Sequence, residues 1–420
     1  NYLGEEILGA RQAEKHIEEY LSLLARPDVD AISVKLSSVF SQVSVLAFES
    51  TVERVVARLR RVFSASLASR PRKLIYFDME AFKDFELTLE VFERLLLDPD
   101  FQGVEAGIAV QAYLPDSMGA IDRLIALGRE RARLGAAPPR VRLVKGANLA
   151  MERVEASLHR WAVPVFPTKV EVDAQYKRLL RRTFEPESSR FLRVGVGSHN
   201  LFDVAYALVL RAHYGAEERV ELEMLEGMAE PLARVVASAA GGLLLYAPAV
   251  LPEHFSSAIS YLVRRLDENS SEENYLRHAF SMRVGDDAFE EQRRRFEKSL
   301  GLSTETAVAT RREQDRWLVG EDPSATGTVW KFDNAADTDF TRSANRAWIA
   351  VALDEARSSR RIVRPRVAGE DLQGEEHPGF DPSRPNEEAY REVRASADRI
   401  EHALEIDVRA QLVAARPQTR

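Results

Sequence analysis

The feature that most constrains the fold is a regular alternation of short apolar or β-branched runs with longer amphipathic stretches, over the first two thirds of the chain. Seven runs are candidate strands, at residues 31–36, 73–77, 108–112, 141–144, 192–196, 220–225 and 242–246. Apolar residues recur at helical spacing between them, as at 50–63, 83–97, 121–133, 149–161 and 201–212. Strand and helix in repeated alternation predict an α/β fold with a parallel sheet, either doubly wound or closed into a barrel.

A closed barrel needs eight strands, and seven are visible. The chain begins in mid-pattern at Asn1, without a methionine, so we expect the first strand to be truncated and to lie upstream. After residue 269 the pattern changes to charged helix formers and then to mixed segments, which predicts a helical and irregular C-terminal extension. From residue 380 we predict a turn over 381–385 and then a charged helix.

Composition excludes several classes of function. The chain has no cysteine, which rules out disulfides, thiolate catalysis and cysteine metal sites. Its net charge of −8 argues against a general nucleic-acid binder, and no histidine or carboxylate set shows metal-ligand spacing, so we predict no metal and no nucleic acid. No apolar run approaches the roughly 18 residues of a membrane span. The absence of disulfides fits a cytoplasmic protein, which is what we expect.

A barrel also predicts where the chemistry lies, because active sites occupy the C-terminal ends of its strands. Polar or small side chains lie at or just after nearly every predicted strand end: Lys35, Asp78, Gln111, Arg142, Lys145, Ser198, His199, Asn200 and Tyr246. Each alone fits a residue that satisfies loop backbone. Together, at successive strand ends, they predict an active site.

The segment 258–269 carries a second signal. On a helix, one face holds Tyr261, Arg264, Arg265 and Glu268, and the opposite face holds Ile259, Leu262, Val263 and Leu266. We expect the apolar face to be buried. Adjacent arginines aimed into a barrel mouth would form a forked clamp for a carboxylate, and a solvated basic face is the alternative.

The residues Arg142, Lys145 and Gly146 fall where a strand turns into a helix, a place suited to an anion such as a cofactor phosphate. Lys145 alternatively fits a Schiff-base lysine of an aldolase-type barrel. The GVG of residues 195–197 has part of a dinucleotide fingerprint but lacks its third glycine and its spacing, so we assign it no role.

Eight segments, in order, resemble the proline dehydrogenase domain of the bifunctional proline utilisation family: SVKLSSVF, DMEAFKDFELTLEVF, AVQAYLPDS, VRLVKGANLAMERVEA, VGSHN, MLEGMAEPL, LYAPAV and YLVRRLDENSSEEN. The resemblance covers residues 1–280 and implies a distorted (βα)8 TIM barrel whose last helix covers the strand ends. It also implies FAD as cofactor, and oxidation of L-proline to 1-pyrroline-5-carboxylate by hydride transfer to the flavin.

The resemblance further implies individual roles. Asp78, Arg142 and Tyr246 would be catalytic, with Arg142 close to the reactive nitrogen of the flavin. The proline would be held by Lys35, Leu225, Tyr246, Tyr261, Arg264 and Arg265. The cofactor would be bound by Gln111, Arg142, Val144, Lys145, Gly146, Thr168, Lys169, Ser198, His199, Asn200 and Glu268. Asn148 departs from the family, since many relatives have a tyrosine there, so part of the substrate wall differs.

The remaining chain is assigned by the same resemblance. Residues 281–379 are expected to form a helical extension and linker, and 380–420 to be the truncated start of an aldehyde dehydrogenase domain, fused to the barrel in the full-length protein. The implied electron acceptor is a quinone or another acceptor at the membrane, which adds a peripheral position at its inner face. Two alternatives stay open: a Schiff-base lyase or aldolase using Lys145, and a barrel remnant without catalysis.

Overall fold

The computed structural model describes residues 3, 7–250, 252, 255–270, 274–279, 281–305, 309–318, 334–358, 361–367 and 369–405. The chain divides into two compact units. The first consists of Asn1–Asp315 and Val319–Arg342, and the second of Arg316–Leu318 and Ser343–Arg420.

The first unit is built on a sheet of seven parallel strands paired in chain order. The strands are β1 Ala31–Val34, β2 Leu74–Phe77, β3 Ala106–Gln111, β4 Arg140–Val144, β5 Arg193–Gly197, β6 Val220–Leu225 and β7 Leu244–Tyr246. The seven predicted strands are thus confirmed, with ends that differ by no more than two residues. The predicted eighth strand is not among the described residues of the sheet and stays a prediction.

Helices alternate with these strands. They are α1 Ala10–Ala25, α2 Leu36–Val39, α3 Phe48–Ala68, α4 Phe85–Leu97, α5 Ser117–Arg133, α6 Leu149–His159, α7 Lys169–Phe184, α8 Pro186–Ser189, α9 Leu201–Tyr214, α10 Glu230–Ala240, α11 Phe255–Ser270, α12 Tyr275–Ala279 and α13 Asp287–Leu302. The long helices bury one apolar side, as α3 does with Val52, Val55, Leu59 and Val62. None of the described helices is long and apolar enough to cross a membrane.

The sheet is strongly curled. The Tyr76 hydroxyl of β2 donates a 2.8 Å hydrogen bond to Oε1 of Glu223 in β6. These strands are four positions apart in the sheet, which would be about 19 Å in a flat sheet at ~4.8 Å per strand. Side chains can meet across that span only if the sheet rolls up, so the seven strands form a half-barrel with helices around it. This confirms the predicted α/β barrel class.

The second unit contains α14 Ser343–Ser358, five short strands and α15 Ala397–Glu405. The strands are β8 Ile362–Val363, β9 Arg366–Val367, β10 Glu370–Asp371, β11 Glu376–Asp381 and β12 Arg384–Val393. The predicted turn lies between β11 and β12, which pair antiparallel. The charged helix predicted directly after it is wrong, because these residues form β12. That strand is held by pairing with β11 rather than by an apolar pattern, and a helix begins only at Ala397.

Candidate active site

Arg142 of β4 is the centre of a buried polar cluster inside the curled sheet. Its Nε donates to Oε2 of Glu223 over 2.7 Å, and its Nη1 donates to Oδ1 of Asp78 over 3.1 Å. The guanidinium carbon lies 3.8 Å from the ring centre of Tyr76 and 3.6 Å from that of Tyr246. Two carboxylates and two aromatic rings therefore fix both the position and the plane of this cation. The structure thus brings together the three residues predicted to be catalytic.

Several buried polar atoms in or near this cluster have no hydrogen-bond partner among the described residues. They are Nη2 of Arg142, the hydroxyl of Tyr246 and Oε1 of Gln111, all of which are buried. A buried polar atom left unpaired costs about 1–3 kcal/mol, so native structures rarely keep several at one place. Three such atoms, at or near the C-terminal ends of strands, indicate a place where a ligand completes the hydrogen bonding.

Glu223 and Tyr76 were missed by the sequence prediction. Glu223 is 1% exposed, and burial raises the pKa of its carboxyl although Arg142 and Tyr76 lower it. A signal for it does exist in the sequence. Glu221 and Glu223 are two residues apart on β6 and therefore point to one side of the sheet, as do Arg140 and Arg142 on β4.

The ends of β1 and β2 form the next part of the site. Lys35 directly follows β1 and is buried. Glu80 follows Asp78 by two residues and accepts hydrogen bonds from the Ser37 hydroxyl at 2.5 Å and the Ser37 backbone N–H at 3.2 Å. Burial raises the pKa of Glu80 to about 7, against the lowering effect of Ser37 and Lys35. Glu80 thus lies beside Lys35, which was predicted to hold the substrate, and near Asp78, which was predicted to be catalytic.

Lys145 lies in a buried cluster of charges at the end of β4. Its Nζ is 2.5 Å from Oδ1 of Asp173 and 2.6 Å from Oδ2 of Asp203. Lys169 also contacts Asp173 at 3.3 Å, and Lys177 contacts Asp203 at 3.2 Å. Burial alone would lower the pKa of Lys145, but the two carboxylates outweigh it and raise this pKa above its ordinary value. Three lysines face two aspartates here, so the cluster favours an anion.

Gly146 follows this lysine and has a left-handed backbone conformation with φ of +115°. A Cβ at this position would lie 2.5 Å from Cγ of Tyr113, which no real side chain tolerates. The glycine is therefore required by both its conformation and its surroundings. The carbonyl of Val144 is already used, since it accepts a 2.8 Å hydrogen bond from the N–H of Ala112.

His199 and Arg265 connect β5, β6 and α11. Nε2 of His199 lies 3.2 Å from the backbone N–H of Leu225 and 3.5 Å from its carbonyl oxygen. Burial, and to a smaller extent the charge of Arg265, lowers the pKa of His199. His199 is therefore held by the backbone of Leu225, and Arg265 lies close enough to act on it.

Three of the residues predicted to bind the cofactor serve as local caps. Asn200 accepts a 2.9 Å hydrogen bond from the N–H of Phe202 at the start of α9, and the Ser198 hydroxyl accepts one from the Asn200 N–H at 3.1 Å. Thr168 is exposed and forms a capping box with Glu171 at the start of α7. Their cofactor roles stay predictions.

Helix α11 places Arg265 over the ring of Tyr261, at 5.2 Å from its centre. Both residues line a cavity of about 520 Å³, together with Leu262, Leu276, Arg277, Pro248 and the loop 226–228 that follows β6. The predicted inward direction of the Tyr261–Arg265 face thus agrees with the contacts of the described residues. The side chains of Arg264 and Glu268 lie outside the described residues.

The predicted burial of the apolar face of α11 is wrong. The exposed fractions are 53% for Ile259, 45% for Leu262, 48% for Val263 and 68% for Leu266. The prediction assumed that a helix must turn its apolar side inward. This helix lies next to polar strand ends and their loops, so its inner side is the polar one.

The comparison with protein families matches residues 1–278 to the family described as proline dehydrogenase. Among curated proteins, the bifunctional protein PutA of Rhizobium meliloti is 30% identical over 288 residues, covering 64% of this chain and 22% of that protein. Proline dehydrogenase 2 of Bacillus subtilis is 23% identical over 273 residues, covering 64% of this chain and 77% of that protein.

Solved structures give the same result. The proline utilization A protein of Corynebacterium freiburgense is 36% identical with a TM-score of 0.72, over 87% of this chain and 34% of that one. That of Bdellovibrio bacteriovorus, inactivated by N-propargylglycine, is 27% identical with a TM-score of 0.80, over 98% of this chain and 42% of that one. The chain spans about a fifth of the Rhizobium protein and about a third of the Corynebacterium one. With its curled parallel barrel and a family match over residues 1–278, this chain belongs to the proline dehydrogenase family.

Proposed function

We infer that the chain oxidises L-proline to 1-pyrroline-5-carboxylate with FAD as the electron acceptor. The observation that carries this proposal is the Arg142 cluster, with unpaired polar atoms at the strand ends, in a chain that belongs to the proline dehydrogenase family. The reaction removes a hydride from a ring carbon of proline and a proton from its ring nitrogen, which leaves a carbon–nitrogen double bond. When bound, FAD supplies the two-electron acceptor for this hydride.

The residues present fit such a cofactor. The lysine-rich cluster around Lys145 suits a phosphate. Nη2 of Arg142 and Oε1 of Gln111 are a buried donor and a buried acceptor that a heteroaromatic ring system could satisfy. The other cofactor contacts are proposed for Val144, Lys145, Gly146, Thr168, Lys169, Ser198, His199, Asn200 and Glu268.

The substrate end of the site is proposed to lie under α11. Arg265 and Lys35, with Arg264, would bind the proline carboxylate through charge-assisted hydrogen bonds. Tyr246, Tyr261 and Leu225 would form an apolar wall along the ring. Asp78 would orient the site, since it already holds Nη1 of Arg142.

The Schiff-base alternative is disfavoured by the surroundings of Lys145. An attacking amine must be neutral, and such lysines have lowered pKa values. The pKa of Lys145 is raised instead, and two carboxylates within 2.6 Å hold its ammonium group. The other alternative, a barrel remnant without catalysis, is tested by the flavin experiment described below.

Activities and partners of the longer relatives enter only as proposals. The Rhizobium relative is named a bifunctional protein, and by the resemblance the full-length protein would carry a fused aldehyde dehydrogenase domain. The domain boundaries at residues 280 and 380 and a quinone acceptor at the membrane stay proposals as well.

Flavin absorbance tests the proposed function. The chain is purified, incubated with excess FAD and freed of unbound cofactor, and L-proline is added without oxygen. We expect a yellow protein whose visible absorbance bleaches with L-proline but not with buffer. Borohydride added together with pyrroline-5-carboxylate should leave the mass of the peptide containing Lys145 unchanged. A folded protein that stays colourless would refute the proposal, and a trapped Lys145 adduct would favour the lyase.

A further inference from the structure

Two arginine–glutamate pairs cross the inside of the sheet from β4 to β6. Nη1 of Arg140 is 2.5 Å from Oε1 of Glu221, and Nε of Arg142 is 2.7 Å from Oε2 of Glu223. Strand β5 lies between β4 and β6 in the sheet. The side chains of the pairs must therefore pass over β5.

Gly195 of β5 leaves the space in which the Arg142–Glu223 pair crosses over β5. A Cβ at this position would lie 1.8 Å from Oε1 of Glu223. Any side chain there would displace the carboxylate from Arg142. The GVG of residues 195–197 has part of a dinucleotide fingerprint, but its first glycine has a different structural role. It leaves space for the Glu223 carboxylate.

Both oxygens of this carboxylate are used. Oε2 accepts from Nε of Arg142, and Oε1 accepts from the Tyr76 hydroxyl. Glu223 is 1% exposed, so water does not screen its charge. Tyr76 also stacks on the Arg142 guanidinium, which links both residues into one rigid unit.

We propose that Glu223 is a positioning residue that fixes the Arg142 guanidinium and offsets its positive charge, so that the Arg142–Glu223 pair sets how readily the bound flavin accepts electrons. The proposal rests on the proposed flavin function. A positive charge beside a flavin favours the reduced form, which carries more negative charge, and a nearby carboxylate opposes this effect.

The sign of the effect follows. Glu223→Gln keeps the volume of the side chain and its ability to accept from Arg142, but it removes one negative charge. The equilibrium constant for two-electron reduction of the flavin should then rise. Glu221→Gln is a matched control, because it makes the same change two residues earlier on the same face of β6, in the pair that lies farther from the C-terminal strand ends.

The experiment uses the full chain loaded with FAD, equilibrated with a reference dye at pH 8.5. Circular dichroism and flavin absorbance first establish that each variant is folded and loaded. We expect E223Q to raise the equilibrium constant at least about tenfold, which is ~30 mV for a two-electron couple. The equilibrium constant of E221Q should stay within about twofold of the wild-type constant. An unchanged constant in E223Q, or an equal rise in E221Q, would overturn the inference.

A second comparison covers the case in which E223Q alone loses its flavin, since it leaves a buried cation without its partner. R142Q is then compared with the double variant R142Q/E223Q. The double variant should have the higher equilibrium constant, because it differs by one buried negative charge. Because R142Q removes the charge that lowers the pKa of Glu223, the two variants are compared over a rising pH series. Constants that stay equal up to the highest pH at which both variants remain folded would refute the role of Glu223. If the wild-type chain binds no flavin, or if proline does not bleach the bound flavin, the proposed function is refuted and this inference with it. The outcomes described above refute the inference alone.

Discussion

Arg265 is the residue of α11 whose inward position is best defined, since it stacks on Tyr261 and its charge acts on His199. Replacing it by methionine keeps most of the side-chain volume and removes the charge. Each lost charge-assisted bond is worth about 1.5–3 kcal/mol, so we expect proline affinity to fall about 10- to 150-fold while FAD stays bound. Proline titration of the flavin absorbance measures both quantities.

The matched control for this variant is Arg234→Met, which removes an exposed arginine from the neighbouring helix α10. It should leave proline affinity unchanged. A second readout is the titration of His199. Because the charge of Arg265 lowers the pKa of His199, that pKa should rise in Arg265→Met and stay unchanged in Arg234→Met. Unchanged proline affinity in Arg265→Met would show that this face of α11 does not bind substrate.

The site residues that could be predicted from the sequence differ from those that could not in whether their role depends on local or on long-range contacts. Arg142 and Lys145 could be predicted because their position at a strand end is a local property. Glu223 and Tyr76 could not be identified in this way. Their importance comes from contacts between residues 81 and 147 positions apart, respectively, which arise only when the sheet curls.

At the level of elements, the strands of the barrel could be predicted because apolar β-branched runs mark buried parallel strands. The predictions failed where an element follows from pairing or placement rather than from its own pattern. Strand β12 is charged and forms because β11 pairs with it. Helix α11 is amphipathic, but the polar surroundings of the strand ends determine which side faces inward.

The sequence pattern also did not indicate that the segments 309–315 and 334–342 pack together through a buried ion pair. Arg312 and Asp339 pair at 3.1 Å with side chains only 4% and 1% exposed. Arg312 also donates to the carbonyl of Ala162 and lies 4.5 Å from the ring centre of Trp161. These segments are thereby attached to the end of α6, the helix that follows Lys145 and Gly146.

This attachment predicts a stability effect. Asp339→Asn removes the carboxylate charge that pairs with the buried Arg312, and removing one partner of a buried pair typically costs about 3–5 kcal/mol. We therefore expect a lower urea midpoint for the first unit. Arg293→Met is the control, because the pair of Arg293 with Glu290 is solvent-exposed and such pairs contribute little. Equal midpoints for Asp339→Asn and the wild type would mean that the segments do not stabilise the barrel.

At the level of the whole chain, the described site residues lie in the first unit, whose chain extends to Arg342. Helix α13 is part of this unit: Nζ of Lys177 donates to the Ser299 hydroxyl over 2.9 Å, and Nη2 of Arg178 donates to the carbonyl of Leu302 over 2.7 Å. A chain that ends after residue 342 keeps these contacts and the Arg312–Asp339 pair. A chain that ends after residue 300 loses the contacts of Leu302, Arg312 and Asp339.

Truncation therefore tests where the catalytic unit ends. We expect the chain ending at 342 to bind FAD and to be bleached by proline as the complete chain is. The chain ending at 300 should unfold at a lower urea concentration, and excess FAD should recover part of the loss, because a ligand at 100 times its Kd stabilises the folded state by about 2.7 kcal/mol. Equal urea midpoints for the two truncated chains would place the end of the unit before residue 300. Loss of flavin binding in the longer one would mean that residues beyond 342 are needed to build the site.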